Sequence, residues 1–266
     1  MRLARRKQRG FSLLELIVSM AIVAVLVSLL LPALRLARDA AQTTVCASNL
    51  RQMGFAWRLY LDDYRQFPKH TALPDWNFGG VEFRPNTRTP YLAEDRPLNA
   101  YIAESVTTAS ERLATQFRCP SDWGVGWDMG PRNSTPMSVL GDDETCFEFF
   151  GTSYRANLYL LDASLTGIDP SGRPLREAET TTVPTSKLLL TADAVWYYAT
   201  RYENQPGDEL DASWHGKYGA GNMLAMDGGV RFIEFEPGET TDYFLYPRPG
   251  RGPTRLGGRS SRNPGR

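Results

Sequence analysis

Two hydrophobic patterns follow one another near the start of the chain. Residues 11–31, FSLLELIVSMAIVAVLVSLLL, hold seventeen apolar side chains, three serines and one charge, Glu15. An apolar run without periodicity and of this length suits a membrane-spanning helix. Twenty-one residues at about 1.5 Å each reach roughly 31 Å, against a hydrocarbon core of about 30 Å. Beyond Pro32 the pattern turns amphipathic. Cys46, Leu50, Met53, Trp57, Tyr60 and Tyr64 recur at spacings of 4, 3, 4, 3 and 4, and Arg51, Arg58, Asp62 and Arg65 fall mostly off that stripe. This spacing places one apolar face on a helix. The helix is therefore predicted to continue through Pro32, kinked there rather than ended, and to stop at Phe67-Pro68. Gly54 is a local cost of about 1 kcal/mol within it.

The rest of the chain reads differently. From Lys69 to Ser186 prolines, glycines and aromatics recur without a clean period, and a further helix is expected only within Leu98–Phe117. Short strands are expected in Glu148–Leu160, and Lys187–Thr200 reads as strand material. Met223–Met226 and Val230–Phe235 are joined through Asp227-Gly228-Gly229, a hairpin signal because Asp-Gly readily supplies positive φ. The expected fold class is α+β, a long N-terminal helix packed on an antiparallel sheet.

Charge refines the divisions. The net charge of 0 over 266 residues hides a segregation. Residues 1–10 carry +5 and Arg248–Arg266 carry +6, which leaves −11 on 11–247. The segment 247–266 is rich in Pro, Gly, Ser and Arg and is expected to be a disordered basic tail. Five segments result: a basic leader at 1–10, a membrane helix at 11–31, its amphipathic continuation at 32–66, an α+β head at 67–246 and the tail at 247–266.

The lone Glu15 constrains what the first helix is for. A charge at bilayer depth costs about 2.5–3.5 kcal/mol or more and usually has a partner. A secretory signal peptide would need a shorter apolar run and a small-residue cleavage region after it. A plain anchor explains the length but neither Glu15 nor the Gly10–Phe11 junction. The sequence RKQRG-FSLLELIVSMAIVAVL resembles the type IV pilins and type II secretion pseudopilins: a short basic leader ending in Gly10, then Phe11, with Glu15 five residues into the mature chain. That resemblance implies cleavage between Gly10 and Phe11 by a prepilin peptidase, and N-methylation of Phe11. It also implies a pilin-like fold, assembly with other pilin-like subunits through the N-terminal helix, and an inner-membrane assembly platform as partner. The leader would stay in the cytoplasm by the positive-inside rule. The protein would then be single-pass in a bacterial inner membrane, with its head extracytoplasmic. Glu15 of one subunit would pair with the Phe11 amine of a neighbour.

A second resemblance lies in the head. WHGKYGAGNMLAMDGGVRFIEF is similar to a processing-associated segment of large prepilin-type proteins, in which a His precedes Asp-Gly and a short strand. Here His215 and Asp227-Gly228 are separated by eleven residues, two more than the usual nine. CASNLRQMGFAWRLYLDDYRQFP, FRCPSD and TSYRANLYL fit the same group. The resemblance assigns no chemistry to His215 or Asp227. Their residue types suggest that Asp227 shapes the hairpin turn and that His215 satisfies loop backbone groups.

Other candidate chemistry is sparse. Of Cys46, Cys119 and Cys146, Cys119 and Cys146 are the expected disulfide pair, both in loop-rich sequence. Cys46 would remain a small packed hydrophobe, and the odd count leaves intermolecular pairing open. No His/Cys spacing fits a zinc site, and no cofactor is expected. Asp142, Asp143 and Glu144 are weak calcium candidates, as are Asp208, Glu209 and Asp211; none matches a calcium-loop spacing. No G-x-S-x-G, Walker-A or H-E-x-x-H motif is present, so an enzyme is not expected. Nor is a nucleic-acid partner. The expected function is that of a pseudopilin or minor pilin in a type II secretion or type IV pilus-like filament. The alternative is a membrane-anchored extracytoplasmic protein whose aromatic-rich head binds glycan or secreted cargo.

Overall fold

The computed structural model describes residues 12–69, 75–82, 91–104, 111–124, 145–166, 171–181, 183–196, 214–217, 219–234, 244–246 and 254–255. The chain divides into two compact units, 1–41 and 42–266.

Helix α1 covers Leu13–Tyr64, with Pro32 inside it. It starts on a local cap. The Glu15 carboxylate accepts from Ser12 N–H at 2.9 Å and Ser12 Oγ accepts from Leu14 N–H at 3.2 Å, which satisfies donors that have no intrahelical partner. In the first unit the large side chains from Leu13 to Leu36 are exposed. This stretch is long and apolar enough to cross a membrane.

In the second unit the predicted stripe is the buried face. Cys46, Leu50, Met53, Trp57 and Tyr60 are in the core, joined by Ala56 and Leu61. Tyr64 departs from the expectation. It is 58% exposed and stacks on Tyr60 at 4.6 Å. The helix is already ending there: Arg65 takes a left-handed φ of 56°, a conformation that terminates helices, and Phe67 N–H then bonds to Leu175 O.

Four antiparallel strands stand in the order β1 (Tyr154–Ala156), β2 (Leu189–Asp193), β3 (Ala220–Ala225) and β4 (Val230–Glu234). The β3–β4 hairpin turns at the predicted Asp227-Gly228-Gly229. Gly228 has φ 82°, and Asp227 Oδ1 accepts from Gly229 N–H at 2.8 Å. Every residue of β2 and β3 is buried, and alternation divides the side chains of β3. Leu224 joins the cluster that contains the α1 stripe, whereas Met223 and Ala225 join a second one with Leu189, Ala192, Trp196 and Ile233. Trp57 ties helix to sheet by donating its indole N–H to Thr191 Oγ1 at 2.9 Å. Gly54 has its reason here: a Cβ at that position would lie 3.0 Å from Leu224 Cδ1.

The irregular middle of the chain is held by buried polar side chains serving backbone groups. Arg96 donates to the carbonyls of Trp76, Gly79 and Phe150 at 2.6–3.2 Å. Asn99 bonds both backbone groups of Gly80 and the Ala93 carbonyl. Asp75 and Arg155 form a buried ion pair. A loop inside a protein must have its polar groups satisfied, and these residues do so where no regular element can.

Two expectations are corrected. Strand was expected from Glu148, but Cys146–Phe150 is a helix, α3. Thr145 caps it, its Oγ1 accepting from Glu148 N–H while Glu148 Oε2 accepts from Thr145 N–H. This reciprocal cap holds the β-prone aromatics Phe147, Phe149 and Phe150 in a helical turn, and the strand begins only at Tyr154. Within the expected disordered tail, Thr254–Arg255 forms β6 and pairs with β5, Phe244–Tyr246. Pro- and Gly-rich composition is common to disordered tails and hairpin connections, so composition alone did not separate them. Two short helices, α2 (Glu111–Gln116) and α4 (Leu158–Leu161), complete the longer elements. The first lies within the stretch where a helix was expected.

Candidate functional site

Five separate segments of the second unit converge on His215. The residue sits between Trp214 and Gly216 in a short helical turn, at φ 58° and ψ 28°. This left-handed conformation is uncommon outside glycine. Trp214 anchors the turn by donating its indole N–H to Gly124 O at 2.8 Å, and Gly216 and Gly219 follow with φ of 72° and 64°. The imidazole is thereby directed inward. Nε2 lies 2.9 Å from Asp193 Oδ2, and Nδ1 lies 3.1 Å from Thr43 Oγ1 on α1. The ring packs edge-on to Phe232 of β4. Nε2 bonds the carboxylate, and Nδ1 shares a second hydrogen bond with the Thr43 hydroxyl.

Asp193, the last residue of β2, is the hub. Both its side chain and that of His215 are wholly buried. Oδ2 also accepts from Asn222 N–H at 2.6 Å and from Asn222 Nδ2 at 3.2 Å. Asn222 in turn donates to the Thr43 carbonyl at 3.3 Å. Gly221 makes the room, since a Cβ there would meet Val195 Cγ2 at 2.9 Å and Asp193 Cβ at 3.1 Å. A buried carboxylate is costly unless its lone pairs are met. Oδ2 is met three times, while Oδ1 is buried with no hydrogen-bond partner among the described residues.

Cysteines complete the cluster and correct the expected pairing. The disulfide joins Cys46 on α1 to Cys119, with Cα atoms 5.2 Å apart and a sequence separation of 73. Cys146 is free and buried, and burial pushes its thiol well above the ordinary range. Asp122 explains its position. That carboxylate accepts from the N–H groups of Gly124, Cys146 and Phe147 and from Ser153 Oγ. It fixes the start of α3 by its backbone and leaves the Cys146 side chain in the core. The sequence placed Cys46 on the buried stripe, and the same stripe carries it to Cys119. Cys119 Sγ is 3.7 Å from His215 Nε2.

The arrangement is chemically a brace. Thr43 and Cys46 of α1 are bonded to the loop at Cys119, to β2 through His215, and to β3 through Asn222. His215 thus serves side chains, not the loop backbone groups expected of it. Asp227 shapes its turn as expected and lies apart from this cluster. The sequence singled out His215 but missed Asp193, Thr43 and Asn222; no motif or spacing links residues spread from 43 to 222. Cys46, Cys119, Asp193 and His215 each present one ligand-type atom, and those atoms all lie within 4.8 Å of one another. Gly10, Phe11, Asp142, Asp143, Glu144, Asp208, Glu209 and Asp211 fall outside the described residues.

Residues 5–31 match the family model of the prokaryotic N-terminal methylation motif. The matched stretch contains Gly10, Phe11 and Glu15 and supports a type IV pilin-like or pseudopilin relationship. No curated protein and no solved structure matches the chain.

Proposed function

We propose that the chain is a pilin-like structural subunit, a pseudopilin or minor pilin of a type II secretion or type IV pilus-like filament. The carrying observation is the methylation motif over residues 5–31, which coincides with an apolar helix whose side chains find no cover in their own unit. Such a surface demands lipid or other helices. A prepilin peptidase cuts between Gly10 and Phe11 and methylates Phe11. The subunit waits in the bacterial inner membrane with its leader cytoplasmic and its head outside, then enters a helical assembly. The braced head supports a structural role over turnover, because the His–Asp pair is sealed in the core. A disulfide suits an extracytoplasmic head.

Glu15 gives the test. In the isolated chain its carboxylate caps α1 through Ser12 N–H. Cleavage leaves a new amine at Phe11, to which the same carboxylate of a neighbour is attracted strongly at low dielectric. Glu15→Ala is expected to insert and be cleaved at near wild-type levels, yet to be largely missing from sheared filaments. Equal recovery of variant and wild type in filaments would mean that the helix is a simple anchor.

A further inference from the structure

We propose that the dithiol form of this protein holds a zinc ion between Cys46, Cys119, Asp193 and His215, so that disulfide and metal are alternative cross-links at one position. Zinc prefers four tetrahedral ligands drawn from thiolate, imidazole and carboxylate, at about 2.0–2.3 Å. Ligand atoms around such an ion stand about 3.3–3.8 Å apart by tetrahedral geometry. The four ligand-type atoms here are already mutually within 4.8 Å and all four residues are buried, and the Cys119 Sγ to His215 Nε2 separation is 3.7 Å. Asp193 provides a second, independent observation. Its Oδ1 is buried without a hydrogen-bond partner among the described residues, while Oδ2 is secured by Asn222. A bound cation supplies what Oδ1 lacks and leaves Oδ2 in place.

The steps balance. A dithiol or phosphine reductant gives two electrons to the Cys46–Cys119 bond, which breaks and takes up two protons to form two thiols. Zinc(II) then binds both sulfurs as thiolates and two protons are released. Zinc takes the lone pair of Nε2, so the imidazole carries its proton on Nδ1 and donates it to Thr43 Oγ1, 3.1 Å away. A hydrogen bond of this kind to the non-ligating nitrogen orients a metal-bound His. Either cross-link joins α1 to the loop at Cys119, across the same sequence separation of 73.

Full-length protein in detergent is reduced with a phosphine under argon and titrated with cobalt(II), then with zinc(II). One cobalt per chain is expected, with a thiolate-to-cobalt charge-transfer band and tetrahedral ligand-field bands, both erased by zinc. Disulfide-intact protein should show neither. Asp193→Asn and His215→Gln keep both thiols and should weaken zinc binding by at least about tenfold. Circular dichroism on each sample identifies those that remain folded. Reduced, folded wild type without tetrahedral cobalt bands would overturn the proposal. So would equal cobalt binding by the disulfide-intact protein, or unaltered zinc affinity in both folded variants.

Discussion

At the scale of single residues, buried or bridging polar groups do much of the specification in this chain, and one of them makes its contribution readable by pH. Glu179 receives Arg173 through both terminal guanidinium nitrogens at 2.6 and 2.9 Å and accepts from Arg176 N–H at 2.7 Å. The Arg173 guanidinium, helped by that backbone N–H, holds the Glu179 carboxyl down at about 2. A carboxyl lowered on folding adds stability above its unfolded value, near 4.3, and that addition fades as pH falls towards about 2. The pair is roughly one-third exposed, so solvent reduces its worth to about 0.5–1 kcal/mol. Glu179→Gln should lose that much at pH 7 in denaturant titrations, and the gap to wild type should close progressively below about pH 4.5. A gap that is unchanged at low pH would show that the ion pair is not its source. None of this was legible in the sequence, because Arg173 and Glu179 carry no pattern that separates a bonded pair from two solvated charges.

At the scale of elements, legibility followed periodicity and turn chemistry. The stripe from Cys46 to Tyr60 named the buried face of α1, and Asp227-Gly228 named the hairpin. Both signals are local: each follows from a few consecutive residues. Phe147–Phe150 misled because strand propensity competed with a cap four residues long, and the cap prevailed. Two glycines of the β3–β4 hairpin separate conformational freedom from space. Gly228 has φ 82° and nothing within 4 Å of an added Cβ, so Gly228→Ala should cost about 1 kcal/mol through the backbone alone. Gly221 has no room, with Val195 and Asp193 at 2.9 and 3.1 Å, and Gly221→Ala should cost about 2–3 kcal/mol. Thermal unfolding of the two variants checks the order. If Gly221→Ala proved the milder, β2 and β3 would not be packed as closely as described.

At the scale of the whole molecule, the sequence divides into a membrane-grade helix and a loop-rich head, and the structure shows what makes such a head coherent. The brace around His215 draws on residues 43, 46, 119, 193, 215 and 222. Convergence of that kind is set by tertiary packing, which one sequence does not display. The Cys46–Cys119 bond closes a long loop, worth about 4 kcal/mol in the chain-entropy view. Non-reducing digestion should release the Cys46 and Cys119 peptides joined, and Cys146 should resist alkylation until the protein is unfolded. A Cys119–Cys146 peptide would instead restore the pairing suggested by the loop-rich sequence. The proposed role of the molecule rests on its first thirty-one residues, and the most direct measurement is the intact mass and N-terminal sequence of protein extracted from membranes of cells with an active prepilin peptidase. The expected result is a chain that begins at N-methylated Phe11. A chain that retains Met1 and the basic leader would contradict the account.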